Sequence, residues 1–210
     1  MLLFAYLGDN KDSDAPIKEL ECVAKIRAGD EQAFEELFFE YYNQLSKFAN
    51  TITKSREYAR DTVQDVFLKI WRNRANFEIR VSIKVYLYQA VRNQALNLLE
   101  KQKTRQRLVE NIQHERGVYE SYSNEGHNAD DTKVNDSNTS EAALIRRVWE
   151  LVEQMPERRR LVFELHRKHG LSYKEIAKVL EIAPKTVENH VGQALQFIRD
   201  HIDIKKYDNS

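Results

Sequence analysis

Residues 171–200 have the sequence LSYKEIAKVLEIAPKTVENHVGQALQFIRD, which predicts two helices joined by a short turn. Ser172 precedes Glu175 by three residues, the spacing of a capping box, so the first helix is expected to begin there. The turn follows at residues 181–183, and Pro184 suits the first position of the next helix because its missing N–H is tolerated there. Apolar residues recur at helical spacing in both segments: Ile176, Ala177, Leu180, Val187, Val191, Ala194, Leu195 and Ile198.

The other side of the second helix is polar, with side chains able to hydrogen-bond base edges and phosphates: Lys185, Thr186, Glu188, Asn189, His190 and Gln193. This is the composition of a recognition helix that lies in a major groove. An amphipathic hairpin whose polar face is merely solvated has the same pattern. The turn also carries Glu181 where glycine is common. The segment therefore predicts a helix-turn-helix and favours DNA binding without requiring it.

The rest of the chain predicts an all-α protein with two small domains. Helical periodicity covers residues 17–103 and returns at 140–204, with Pro156 between two helices of the second domain. Residues 104–139 are rich in Asn, Asp, Ser and Thr, which predicts a flexible linker because they bury too little apolar area to offset their ordering entropy. Residues 1–16 are interpreted as an N-terminal extension and 205–210 as a tail.

In the first domain, three or four helices with apolar stripes are predicted to bury a common core. The long first helix has Gly29 and Asp30 just before it as a break and N-cap candidate. A second runs from roughly residue 57 to 73, with Val63, Val66, Phe67 and Ile70 facing inward, and a third starts near Ser82.

Charge and composition narrow the class of function. The 33 Lys and Arg residues balance the 33 Asp and Glu residues, but between Lys84 and Arg107 six cations face only Glu100. Such a local excess suits a protein that touches phosphate on one face. The single cysteine, Cys22, fits a reducing cytoplasm, and the initial MLLFAYL is too short to span a bilayer and lacks the basic flank of a signal peptide.

No compact metal motif or glycine-rich phosphate loop occurs, so no catalytic residue, metal, cofactor or small-molecule substrate is predicted.

Four segments together resemble the extracytoplasmic-function (ECF) branch of the sigma-70 family. They are GDEQAFEELFFEYYNQLSKFA, YARDTVQDVFLKIWRNRANFE, IKVYLYQAVRNQALNLLEKQK and MPERRRLVFELHRKHGLSYKEIAKVLEIAPKTVENHVGQAL. The resemblance implies a region 2 helical bundle, a region 4 helix-turn-helix domain, and an alternative sigma factor. Such a protein binds core RNA polymerase, recognises promoter −35 and −10 elements and helps melt the DNA without catalysis. It also implies an anti-sigma factor as a partner.

For polymerase, the resemblance implies that the second helix docks on the clamp coiled coil of the largest subunit. The matching positions are Asp61, Gln64, Asp65, Phe67, Leu68, Lys69 and Trp71. Asp61 and Asp65 stand four residues apart, so both carboxylates share a helix face and are able to meet arginines of a partner. Two alternatives remain open: a carboxylate pair that holds a metal, and a solvated acidic stripe with Trp71 in the core.

For promoter DNA, the resemblance implies that the loop after this helix captures a flipped −10 base, through Asn76, Phe77 and Glu78. Phe77 is equally interpretable as a core residue. The next helix is implied to contact the −10 element through Lys84, Tyr88, Arg92, Asn93, Asn97 and Lys101. For the −35 element, the implied contacts are Ser172 and the six polar residues of the recognition helix.

Three other interpretations fit parts of the sequence. A free-standing helix-turn-helix regulator would need a receiver or sensing domain, and the first domain shows no alternating strand and helix pattern. An enzyme acting on nucleic acid would need a catalytic motif that is missing. An adaptor that binds polymerase without DNA would not need the basic helix or the recognition face.

Overall fold

The computed structural model describes residues 15–79, 82–116 and 140–202. All regular structure in these ranges is helical, which confirms the predicted all-α class. The chain divides into two compact units, Met1–Gly126 and His127–Ser210. Most of the predicted N-terminal extension, the predicted linker from residue 117 onward and the predicted tail lie outside the described residues.

In the described residues of the first unit, four helices form a bundle. They are α1 (Ala15–Ala28), α2 (Glu31–Thr53), α3 (Arg56–Arg72) and α4 (Ile83–Arg116), with a 3-10 turn at Arg74–Asn76 between the last two. Helices α2, α3 and α4 all pack against one another, and α1 packs on α2 and on the 3-10 turn. Their shared core includes the fully buried Leu45, Phe48, Val63, Leu87 and Val91. This core fixes which sides of α3 and α4 face outward.

Short polar contacts set the helix starts in this unit. Asp30 is the N-cap of α2 as predicted, since its carboxylate accepts a 3.0 Å hydrogen bond from the backbone N–H of Ala33. At the start of α4, the Ser82 hydroxyl accepts from the Val85 N–H at 3.2 Å. The carboxylate of Glu19 in α1 accepts from the Ile83 N–H at 3.1 Å, so α1 helps to cap a helix 64 residues away.

Helix α4 is longer than the sequence pattern indicated. It continues to Arg116, whereas the flexible linker was predicted to begin at residue 104, and that boundary is corrected. The physical reason is composition: residues 104–116 are TRQRLVENIQHER, mostly good helix formers with no glycine or proline, and Gly117 is the first strong helix breaker. The linker was predicted because the apolar stripe ends near residue 104. A helix that has been nucleated, however, continues without such a stripe.

The second unit consists of α5 (Ser140–Glu153), α6 (Glu157–Arg167), α7 (Tyr173–Leu180) and α8 (Pro184–His201). Helix α8 packs against the other three. One core cluster holds α5, α6 and α8 together and contains Val152, Met155, Phe163, Ala194 and Ile198. Helices α7 and α8 are the predicted helix-turn-helix.

The helix-turn-helix begins and turns where the sequence predicted. Ser172 and Glu175 form a reciprocal capping box, and Pro184 is the first residue of α8. Glu181 ends α7 in a left-handed conformation, with φ 56° and ψ 45°. A glycine would adopt this backbone without strain, so Glu181 carries a local cost.

Candidate polymerase and nucleic-acid interfaces

The outer side of α3 carries an exposed strip of predicted docking residues. Asp61, Gln64, Asp65, Leu68 and Lys69 are all exposed, and Leu68 leaves 49% of its surface open to solvent. Steps of three and four residues separate them, so they share one helix face. An apolar side chain flanked by carboxylates is a composition suited to a protein partner that carries arginine.

A hydrogen-bonded network joins this strip to α4. The Lys69 ammonium donates to the side-chain oxygen of Gln94 at 2.6 Å, and the Gln94 amide donates to the Asp65 carboxylate at 3.1 Å. Gln94 is not among the predicted site residues, because it lies 29 residues from Asp65 and has no helical-spacing relation to it. The network gives the Asp65 carboxylate a hydrogen-bond donor on α4.

Phe67 lies inside the bundle, and its assignment to the polymerase interface is corrected. It is 2% exposed and meets the rings of Phe34 and Phe38 edge to face, at centroid distances of 5.9 and 5.0 Å. Trp71 is half-buried: its ring lies 4.8 Å from that of Phe34, with the Arg74 guanidinium 4.6 Å above it. Trp71 therefore contributes to the packing of α2 on α3.

The loop after α3 exposes Asn76 and Glu78 and buries the residue between them. Phe77 is 3% exposed and packs edge to face on Tyr86, with ring centroids 5.4 Å apart. Its assignment to a DNA surface is corrected, and the alternative of a core residue holds. The buried ring of Phe77 anchors the loop to the core, and its polar neighbours Asn76 and Glu78 face solvent.

Helix α4 presents the remaining −10 residues, with one exception. Tyr88 is 0% exposed and lies 5.0 Å from the ring of Phe48, so its assignment as a DNA contact is corrected. Burial raises the pKa of its hydroxyl above the ordinary value, and so the phenol stays neutral. Asn93, Asn97 and Lys101 are exposed, while Lys84 and Arg92 are half-buried.

One residue of the predicted polymerase site and two of the predicted −10 residues line the same shallow groove of this unit. Lys69 of α3 and Gln94, Asn97, Lys101 and Arg105 of α4 line it together. The predicted polymerase strip and the predicted −10 helix are therefore adjacent surfaces of the first unit.

On α8, the predicted recognition residues have different degrees of exposure. Lys185, Glu188, Asn189 and Gln193 are exposed, and Thr186 and His190 are half-buried. Lys185 pairs with Glu188 at 2.9 Å. Ser172 is exposed, but its hydroxyl is committed to Glu175 in the capping box.

One residue missed by sequence analysis joins this face: Arg159 of α6 donates to the side-chain oxygen of Gln193 at 2.9 Å.

Two features of the described residues bear on function. In residues 15–79, 82–116 and 140–202, no group of three or more His, Cys, Asp or Glu side chains is arranged to hold a metal ion. Within the same part of the chain, no helix has both the length and the apolar composition needed to cross a membrane.

A helix-turn-helix with a polar outer face, attached to a second helical unit with acidic and basic surfaces, defines a DNA-binding transcription protein. Family models agree with this class: "Sigma-70 region 2" matches residues 37–105 and "Sigma-70, region 4" matches residues 145–198.

The chain is also similar to curated relatives. It is 31% identical over 183 residues to the ECF RNA polymerase sigma-E factor of Haemophilus influenzae, covering 86% of this chain and 93% of that protein. It is 24% identical over 186 residues to the RNA polymerase sigma-H factor of Pseudomonas aeruginosa, covering 86% and 92%.

Solved structures share the fold at low sequence identity. One is CnrH in complex with the cytosolic domain of CnrY, with TM-score 0.53 and 18% identity, covering 91% of this chain and 99% of that chain. Another is the sigma factor RpoE in complex with the anti-sigma factor NepR from Bartonella quintana, with TM-score 0.52 and 20% identity, covering 84% and 98%.

The chain belongs to the ECF branch of the sigma-70 family. It is an alternative sigma factor that acts in transcription initiation, and sigma factors as a class are regulatory proteins without enzymatic activity.

Proposed function

We propose that this sigma factor docks on the clamp coiled coil of core RNA polymerase through the exposed strip of α3. The observation that carries the proposal is the common exposure of Asp61, Asp65 and Leu68 on one helix face. The carboxylates suit arginines of the partner, and Leu68 gives an apolar centre that becomes buried on docking. Gln64 and Lys69 border the strip, and Trp71 supports it from within.

The −10 element is contacted by the loop after α3 and by the outer side of α4. Asn76 and Glu78 are exposed on a loop that Phe77 anchors, so they suit capture of a base taken out of the stack. Lys84, Arg92, Asn93, Asn97 and Lys101 follow along α4. The amides suit base edges, and the cations suit phosphates.

The −35 element is read by α8 in the major groove. Lys185, Thr186, Glu188, Asn189, His190 and Gln193 supply the polar face, and Ser172 lies at the start of the preceding helix. Each unit alone binds weakly, and polymerase holds the two at the spacing of the promoter elements. Joint binding therefore raises effective concentration without new contacts.

The chain contributes binding energy and no chemistry of its own, because the reacting groups belong to polymerase. It needs no cofactor, metal or small-molecule substrate, and it acts in the cytoplasm, where polymerase meets the chromosome. An anti-sigma factor is its proposed inhibitor. The support is that two proteins that share its fold were solved in complexes, CnrH with the cytosolic domain of CnrY and RpoE with the anti-sigma factor NepR.

The test is retention of bacterial core polymerase by the tagged chain, compared with Asp65→Arg. Reversing a charge that meets arginine removes an attraction and adds a repulsion, which costs about 2 kcal/mol or more at an interface. Glu35→Arg on α2 is the matched control, since it makes the same charge change at an exposed site of the same unit. Trp71→Ala is a poor variant because it would disturb the packing on Phe34.

Wild type and Glu35→Arg are expected to retain polymerase, and Asp65→Arg to lose about thirtyfold or more in affinity, the equivalent of about 2 kcal/mol. Equal retention of all three would show that α3 is not the docking helix. Binding of promoter DNA by the chain without any polymerase binding would favour a free-standing regulator instead.

A further inference from the structure

Helix α6 contributes an arginine to the recognition face of α8. The guanidinium Nη2 of Arg159 donates to the side-chain oxygen Oε1 of Gln193 at 2.9 Å, across 34 residues of sequence. Helices α6 and α8 pack together, and this contact lies at the exposed edge of their packing. The Nε atom of Arg159 is buried, whereas the hydrogen bond from Nη2 to Gln193 is exposed to solvent; this bond is charge-assisted because the guanidinium is positively charged.

This contact determines which way the Gln193 amide faces. A guanidinium has donors only, so the group that meets it must be the amide oxygen of Gln193. The amide nitrogen is on the other arm of the planar group and is therefore turned away from Arg159. Gln193 thus presents N–H donors outward, beside a positive charge.

A fixed amide reads DNA differently from a free one. A free glutamine recognises adenine with both arms, because its oxygen accepts from N6 and its nitrogen donates to N7. In this pair, the oxygen is engaged by Arg159, which weakens the adenine pattern. Guanine presents two acceptors in the major groove, N7 and O6, and cytosine presents a donor.

We propose that Arg159 and Gln193 form a donor pair that selects guanine at one position of the −35 element. The proposal rests on the proposed function, in which α8 lies in the major groove of that element. Arg159 acts as a specificity-determining residue from outside the helix-turn-helix, by fixing the Gln193 amide and adding its charge.

The experiment selects promoters from a library randomised over the −35 element, using the full chain with core polymerase. Wild type is expected to prefer guanine at one position. Arg159→Met keeps the aliphatic stem but removes the donors, so Gln193 is released and the preference at that position shifts to adenine. The change in the guanine-to-adenine ratio should be about fivefold or more, since a bidentate contact discriminates by at least that factor.

Two further variants test the same position. Gln193→Glu retains an acceptor for Arg159 but replaces the outward donors with an oxygen, so cytosine should replace guanine there. Arg158→Met removes an exposed arginine from the adjacent position of α6. It should leave the base profile unchanged and lower affinity for all promoters alike. Gln193→Glu also covers the case in which Arg159→Met does not fold, because Gln193 is exposed and Arg159 is not altered.

The outcomes separate this inference from the proposed function. A wild-type profile with no −35 preference at all would refute the proposed function, and the inference with it. A clear wild-type preference that stays the same in both Arg159→Met and Gln193→Glu would overturn the inference alone. The same holds if the variants change preference at two unrelated positions.

Discussion

Glu181 has a left-handed backbone conformation that is strained for any residue with a side chain. It ends α7 with φ 56°, and a non-glycine residue in the left-handed region costs about 1 kcal/mol or more. We expect Glu181→Gly to raise the free energy of unfolding of the second unit by up to about 1 kcal/mol in a urea titration. Glu181→Ala is the control: it removes the same charge but keeps the strain. An equal gain from alanine would assign the effect to charge.

Cys22 is held in surroundings that suppress its reactivity. Burial raises the pKa of the Cys22 thiol, and the nearby carboxylates of Glu40 and Glu36 raise it further, against a smaller opposite effect of Lys25. Only the thiolate is a nucleophile, so the folded chain should react more slowly with iodoacetamide than the urea-unfolded chain near the ordinary thiol pKa of about 8.5. The pH at which alkylation becomes half-maximal should be higher in the folded chain.

Glu40→Gln gives a matched test of this cause, since it removes one carboxylate and keeps the side-chain shape. We expect faster alkylation of the folded variant and an unchanged rate in urea. If the folded and unfolded wild-type chains titrate at the same pH, the thiol does not sense these surroundings.

At the residue scale, the sequence predicted which segments form helices and sites better than it predicted which side chains of those segments face outward. The stripe of Val63, Val66, Phe67 and Ile70 was expected to face inward, and all four are buried. The family resemblance nevertheless placed Phe67 on a docking surface, because it transfers a whole segment without distinguishing its faces. Tyr88 was misassigned for the same reason. For Phe77, both roles were open, because an aromatic ring in a short loop has no periodicity to indicate its side.

At the element scale, helix caps made by neighbouring residues were predictable, and contacts between helices far apart in sequence were not. Asp30, Ser172 and Pro184 were located correctly because caps depend on neighbours within a turn. The Glu19 cap on α4 and the Arg159 contact with Gln193 were missed because they require the packing of helices far apart in sequence. The length of α4 was underestimated because its last turns have no apolar stripe to mark them.

Gly192 provides a test of whether α8 gives up stability in order to let DNA approach closely. It lies within α8, and a Cβ added there would meet no heavy atom within 4 Å, so no packing need requires a glycine. Gly192→Ala should therefore raise the free energy of unfolding of this unit by up to about 1 kcal/mol. We expect the same variant to bind the −35 element more weakly, because an absent side chain permits close approach of the DNA backbone.

The measurement is a pair of titrations, urea unfolding and promoter binding with core polymerase. Gln196→Ala, an exposed change on the same helix, is the control and should alter neither by much. Higher stability with undiminished promoter affinity would show that the glycine serves no contact.

At the scale of the whole molecule, the charge distribution matters more than the total. The chain has no net charge, yet α4 carries the exposed Lys101, Lys103, Arg105 and Arg107 along its extended end. A neutral protein has little long-range attraction to DNA, so a local cluster of cations is expected to supply its attraction to phosphates. Because residues 104–116 are helical, these four cations lie on the same helix as Asn93 and Asn97, about one to three turns beyond Asn97.

We therefore expect replacement of these four cations by glutamine to weaken binding of every promoter by a similar factor in the presence of core polymerase. Each lost phosphate contact reduces the magnitude of the slope of log K against log salt by about 0.7 to 0.9, so the magnitude should fall by up to about 3.6 for four contacts. The control replaces Lys18, Lys25, Arg27 and Arg56, four exposed cations of the same unit, and makes the same change in net charge. If both quadruple variants flatten the slope equally, attraction depends on total charge. If only the α4 variant does so, and its promoter preferences are unchanged, the end of α4 lies along the DNA backbone and contributes affinity without sequence selection.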